Sequence, residues 1–425
     1  MTDRELIEQV EGGAPEAPST RRVVLIRVAD QGAWSGGFFL LNAVAGFTMR
    51  PEEYAALSVS TALAFVAVAA MRSWGVYSLL VWAGRERVDP TSAVDARSGW
   101  FAAVVIGVIA AVTSGLWVGQ QVVGGFVFLC AGVAAAIVVS DLPRQLLVAR
   151  GIHTRTFALS GVYLVGAAVV AATVATGSAG SGVIVPAWIV ILALVAAVGL
   201  VVDRPRARGR FDRRERMRVG WRLTAESLYL AAGSQVGLLL LFTLHDPVAT
   251  SGFRFAYSLI FAPAFVVIQG LQPVMLRQVA SRAAPGPSAA ARLAARWSLS
   301  QGVLLIVVGA VAGTVLLLAV DAPGPRAALP FIIPLGLSII SAQTFESVFL
   351  AYRFFVDPRV VHRARLLTVL LDVASQAVGV AVWGPTGLAV ALVVFATVRL
   401  SVSGIGLATL RRRPTDADAR GRHVR

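Results

Sequence analysis

Within RVADQGAWSGGFFLLNAVAGF (Arg27–Phe47) an arginine, an aspartate and a glutamine open a stretch that is otherwise apolar. At 100° per residue on a helix, Arg27, Asp30, Gln31, Ser35 and Asn42 fall within an arc of about 140°, which gives the helix one wet face. A charge at the middle of a bilayer costs about 2.5 to 3.5 kcal/mol on insertion scales, so such residues turn to a cavity or to a partner. Two chemistries fit here. The face lines a polar cavity that holds a ligand, or Arg27 and Asp30 pair at i,i+3 and snorkel to the interface.

The pattern recurs in other apolar stretches. Ser58, Thr61 and Arg72 share a face of a second helix, and Arg222, Glu226, Tyr229, Gly233 and Gly237 share one of a seventh. Arg254, Gln269 and Gln272 share a face of an eighth. These wet faces are candidates for one central cavity. The alternative for Gly233 and Gly237 is close helix packing, and for the two glutamines it is hydrogen bonding between helices. Further on, Gln343 and Glu346 share a face, Asp372 lies one turn from Ser375 and Gln376, and Arg399 sits in the last apolar stretch. Glu346 and Asp372, with Arg399 nearby, are candidate proton or sodium sites, and a structural Asp372–Arg399 pair is the equal alternative.

Enzymatic constellations are missing from the sequence. His153, His245, His362 and His423 are scattered, with no HExxH and no cysteine cluster to hold a metal. Neither a Walker A sequence nor a GxSxG elbow occurs. The expectation is a protein that is not an enzyme and needs no cofactor or metal. The single cysteine, Cys130, lies in an apolar run and reads as packing.

The elements that position these residues follow from composition. Only 14% of the 425 residues are charged and 57% are hydrophobic, with a mean hydropathy of +0.75. This is a polytopic membrane protein. A bilayer needs about 20 apolar residues per helix. Twelve segments qualify: 25–48, 54–82, 99–118, 121–141, 157–176, 183–202, 222–244, 252–276, 298–320, 328–352, 364–383 and 385–409. Their apolar runs are continuous and do not alternate with period two, so helices are expected and a β-barrel is not. The fold class is therefore all-α, with twelve transmembrane helices.

All 38 basic residues are arginine and the net charge is +15. They cluster in short loops on one side, including Arg144 and Arg150 after the fourth segment and Arg363 and Arg365 at the start of the eleventh. That is a membrane-orientation signal, and no nucleic-acid partner is expected. It places both termini in the cytoplasm, with Arg50, Arg254 and Arg326 outside. The longest connection, DRPRARGRFDRRERMR (Asp203–Arg218), divides the chain into two halves. The expected organisation is a disordered cytoplasmic tail (1–22), a six-helix lobe (23–202), a basic linker (203–221), a second six-helix lobe (222–410) and a basic tail (411–425). GFTMRPEEYAALS (Gly46–Ser58) and LFTLHDPVATSGFRFA (Leu241–Ala256) echo each other at matching places in the halves, as internal repeats do in transporters.

The opening ADQGAWSGGFFLLNAVAGF (Ala29–Phe47), followed by MRPEEYAALSV (Met49–Val59), resembles the polysaccharide flippases of the Wzx type, within the superfamily of multidrug, oligosaccharidyl-lipid and polysaccharide exporters. DLPRQLLVARG (Asp141–Gly151) and the region of the seventh and eighth segments through Met275 add weaker matches. The chain departs from that family where Ala43 follows Asn42 and where Ala55 and Ala56 replace a usual glycine. The resemblance implies a two-lobed bundle in the plasma (inner) membrane. It implies a cargo, a polyprenyl-pyrophosphate-linked oligosaccharide, moved from the inner to the outer leaflet. As partners it implies the lipid-linked anionic glycan, membrane lipids, and a polysaccharide polymerase or glycosyltransferases. Arginine forks suit pyrophosphate oxygens, and Gln31, Asn42, Tyr229, Gln269 and Gln272 suit sugars. The rivals are a cation-coupled multidrug exporter of the same superfamily and a non-transporting scaffold. Arg27, Arg72, Arg222 and Arg254 outnumber Asp30 and Glu226 among the candidate cavity residues, which favours an anionic cargo.

Overall fold

The computed structural model describes residues 20–78, 96–122, 124–202, 213–261, 286–318, 323–352 and 358–412, and among them no strand occurs. The first lobe comprises α1 (Thr20–Thr48), α2 (Pro51–Arg72), α3 (Ala96–Val118), α4 (Gly125–Ala149), α5 (His153–Ala175) and α6 (Ile184–Val202). The second comprises α7 (Arg213–Leu244), α8 (described over 247–261), α9 (Pro287–Leu318), α10 (Pro323–Tyr352) and one long stretch, Pro358–Arg412. That stretch breaks at Gly384, where φ is 60° and ψ is −137°, into α11 (358–383) and α12 (385–412). The described residues thus form twelve helices in two six-helix lobes of a membrane protein.

Local chemistry sets the breaks. Pro51 sits in the first turn of α2, where its missing N–H costs nothing, and Glu52 and Glu53 follow at the positive end of the helix dipole. At Gly384 only glycine accepts the left-handed backbone without strain, and Pro385 cannot continue the ladder. The break strands carbonyls at the end of α11, and His245 Nε2 meets one of them, Val380 O, at 2.9 Å.

The fourth helix departs from expectation. Hydropathy ends it near residue 141, but α4 runs on through Pro143 to Ala149. Gly199 of α6 makes room for the proline ring, since a side chain there would come within 2.4 Å of it. Gly151, at φ 73°, then closes α4 with a Schellman pair: its N–H donates to Val148 O, and that of Ile152 to Leu147 O. Arg144 is therefore a buried helical residue and not a loop arginine. Arg365 is likewise buried within α11.

The two lobes repeat one packing scheme. In the first, α1 lies on α5 and α3 on α4; in the second, α7 lies on α11 and α9 on α10. The lobes meet where α7 packs along α2 and the π-helical turn Ser73–Tyr77 that follows it. The ends of the bundle differ. At the end carrying the short turns 49–50 and 245–246, Gly46 abuts the Phe255 ring, Phe47 meets Phe255 edge-on at 5.1 Å, and Trp117 Nε1 donates to Thr243 Oγ1 at 3.2 Å. The seam is packed shut there. At the arginine-rich end, Ser73 bonds Ser227 and Gly220 lies against Trp74 and Ser78.

Candidate functional site

A cavity of about 250 Å³ lies in the seam, lined on the first-lobe side by Gln31, Ser35, Phe38, Phe65, Arg72 and Asp141. A second cavity, about 190 Å³, lies in the other lobe and is lined by Glu346, Arg365, Asp372, Gln376 and Arg399 among others. They share Ser234, Tyr257 and Phe261 as a common wall. Each cavity thus has ionisable residues in its wall.

In the first lobe the charges form a chain across three helices, and Ser160 of a fourth joins it. Arg27 Nη1 donates to Asp30 at 2.9 Å, Ser160 Oγ to Asp30 at 2.6 Å, and Arg144 Nη2 to Asp30 at 3.2 Å. Arg144 also reaches Asp141 at 3.3 Å and lies over the Trp34 ring at 4.0 Å. Arg72 grips Asp141 with Nε at 2.6 Å and Nη2 at 2.7 Å, a fork-on-carboxylate geometry. Asp30 is 0% and Arg144 1% exposed, whereas the Arg72 side chain is 17% exposed and reaches the cavity. Arg72 ends α2 at the π-helical turn, an irregularity that often marks a functional site.

The wet face of α1 is therefore divided. Gln31 and Ser35, bonded to each other at 3.1 Å, face the cavity, while Asp30 points into the lobe toward α4 and α5. Asn42 is buried and donates to Phe38 O at 2.8 Å. Ser58 and Thr61 return their hydroxyls to their own helix.

In the second lobe Arg365 joins Glu226 of α7 to Glu346 of α10, the latter through Nη2 at 2.6 and 2.7 Å. Arg399 of α12 pairs with Asp372 of α11, which also accepts from Gln376 Nε2 at 2.8 Å. Tyr229 Oη lies 3.4 Å from His362 Nδ1. Gly233 and Gly237 serve close packing, since a Cβ would meet Val369 at 2.9 Å and Gln376 at 2.6 Å. Gln269, Gln272 and the Arg222 side chain lie outside the described residues.

Arg254 stands apart. It is 2% exposed at the shut end of the seam, its guanidinium 5.6 Å from the Phe65 ring and 5.6 Å from the Tyr257 ring. Its Nε and Nη1 meet no acceptor. Among the described residues no carboxylate pairs with it, and a buried cation left so is costly. Arg254→Leu is expected to raise the unfolding free energy by about 1 kcal/mol or more, read as a higher melting temperature of the purified protein. A fall in melting temperature would contradict this placement.

The charge balance differs from the sequence expectation. Arg27, Arg254, Asp30 and Glu226 are not among the described residues lining these two cavities, and Asp141, Arg144 and Arg365 enter the networks. Among the described lining residues, Arg72, Arg365 and Arg399 face Asp141, Glu346 and Asp372, three of each sign. The signal for Asp141 and Arg144 was the DLPRQ run, whose polar side chains at i, i+3 and i+4 share one helical face. Among the described residues no group of three His, Cys, Asp or Glu side chains could hold a metal ion.

In fold the chain is similar to solved transporters described as members of the MOP superfamily. The chain is similar to the inward-facing structure of a multidrug resistance MATE family transporter of that superfamily, with TM-score 0.66 and 13% identity, covering 92% of this chain and 100% of that one. It is similar to a MOP superfamily transporter from Pyrococcus furiosus, described by a binding pocket of reverse polarity that suggests a different function, with TM-score 0.60, 13% identity and coverage of 92% and 96%. The outward-facing structure of a multidrug resistance MATE family transporter gives TM-score 0.53 at 11% identity, with coverage of 92% and 96%. No family model matches the sequence, and no curated protein resembles it at a significant level.

Proposed function

We propose that this membrane transporter moves a polyprenyl-pyrophosphate-linked oligosaccharide from the inner to the outer leaflet by rocking its two lobes about the seam. The observation that carries the reading is the cavity wall where the Arg72 fork stands beside the amides of Gln31 and Gln235 and the rings of Trp34, Phe65 and Tyr257. A guanidinium fork matches phosphate oxygens, and amides and rings match sugars. The resemblance of Ala29–Val59 to polysaccharide flippases supports the same cargo. In this reading the arginine-rich end faces the cytoplasm, in the plasma membrane, and the partners are the enzymes that assemble and polymerise the glycan.

A second reading, export of cationic amphiphiles, is favoured by the equal numbers of carboxylates and guanidinium groups in the described lining. Reconstituted liposomes separate the two. The flippase reading expects protein-dependent movement of a lipid-linked oligosaccharide and none of a cationic dye; dye movement alone would replace it with the exporter. Coupling to a proton or sodium gradient falls to the second-lobe cavity, where Glu346 is the most accessible carboxylate at 42% exposed. Glu346→Gln is expected to abolish the ion dependence of transport while the protein still folds. Unchanged ion dependence in both Glu346→Gln and Asp372→Asn would remove that assignment.

A further inference from the structure

The geometry points to Asp141 as a built-in stand-in for the cargo's phosphate, a specificity-determining carboxylate that an anion must displace from Arg72. This inference rests on the flippase reading and adds a selection step to it. Both edge donors of the guanidinium, Nε and Nη2, are held by the two oxygens of Asp141 at 2.6 and 2.7 Å. This is the same fork that a phosphate would use. Both residues line the cavity, so the pair stands in the path of an arriving headgroup.

Displacement does not strand the carboxylate. Asp141 keeps two further donors, Arg144 Nη1 at 3.3 Å and Gln145 Nε2 at 3.5 Å, both long contacts with room to shorten. Arg144 is itself fixed by Asp30 at 3.2 Å and by the Trp34 ring, so it remains in place as the reserve partner. An exchange that left a buried charge unpaired would cost several kcal/mol. Here the charge passes to a neighbour on its own helix.

The exchange selects by charge and shape. A competitor must offer two coplanar oxygens and more negative charge than one carboxylate. A pyrophosphate group meets both conditions; acetate offers the shape without the charge, and chloride offers neither. A cationic amphiphile has no means of opening the pair. Asp141 also restores the resting site when the headgroup leaves, which favours release over trapping.

The test uses the purified full-length chain and inorganic pyrophosphate as probe, with acetate and chloride as comparison anions. Asp141→Asn is expected to bind pyrophosphate about tenfold tighter than the native chain and to lose the discrimination against acetate. Arg72→Gln is expected to lose pyrophosphate binding. If Arg72→Gln loses binding while folded Asp141→Asn binds no tighter than the native chain, the stand-in role fails and the flippase reading survives. If neither substitution changes binding, the cargo site itself is misplaced. Should Asp141→Asn fail to fold, infrared difference spectra of the native chain decide. Pyrophosphate should shift a carboxylate band, and the shift should vanish in Arg72→Gln; no shift overturns the inference. Competition by polyprenyl pyrophosphate at lower concentration than inorganic pyrophosphate assigns the site to the lipid headgroup. The reverse order assigns it to the free anion, and the exchange at Asp141 stands in either case.

Discussion

Replacing Arg144 with alanine is expected to destabilise the first lobe by about 3 to 5 kcal/mol, the cost of leaving buried carboxylates without their cation. Arg144 is 1% exposed and joins Asp30 to Asp141 at 3.2 and 3.3 Å. It also covers the Trp34 ring at 4.0 Å, so truncation opens a void beside the aromatic cluster of Trp34, Phe38, Tyr163 and Trp188. The loss would be read as a large fall in the fraction of detergent-purified protein that stays monodisperse after heating. Combining Arg144→Met with Asp30→Asn and Asp141→Asn should recover much of it, because removing a buried network whole costs far less than breaking it. An Arg144→Ala protein as heat-resistant as the native chain would show that the network holds nothing together.

Arg72→Ala has the opposite profile. Its loss leaves Asp141 with Arg144 and Gln145, so stability should fall by about 1.5 to 3 kcal/mol, the range of a charge-assisted bond. Transport of the lipid-linked cargo per correctly inserted molecule should instead fall by about a hundredfold, corresponding to about 2.7 kcal/mol of lost fork-to-phosphate interaction. Arg72→Lys should retain part of the activity, since a point charge attracts phosphate without matching it. The comparison of Arg144 with Arg72 separates a residue that holds the lobe from one that meets cargo. Full transport by a well-folded Arg72→Ala protein would remove the cationic fork from the mechanism.

The twelve helices were legible because hydrocarbon imposes one length and one composition on every span. The halves were legible as an echo around Phe47 and Phe242, and the structure shows why: each half opens with a helix, a short turn and a second helix at the same end of the bundle. The wet face of α1 was legible as an arc, but not its division. Whether Asp30 looks into the cavity or into the lobe depends on Arg144 and Ser160, 114 and 130 residues away. Such pairings leave no local trace. Arg144 and Arg365 were read as loop residues because hydropathy drops where polar side chains gather. Both lie in continuing helix, where partners from other helices neutralise them. Likewise, Arg72 has no acidic neighbour within a turn, and only the three-dimensional arrangement supplies Asp141.

Transport by rocking requires the lobes to part at the end where Gly46 abuts Phe255. The direct test places cysteines at Gly46 and Phe255 in a chain whose buried Cys130 is replaced by alanine, and follows transport of lipid-linked oligosaccharide in liposomes before and after disulfide formation. Rocking of the lobes predicts that the oxidised protein stops transporting and that a reductant restores the rate. Undiminished transport by the fully cross-linked protein would contradict it.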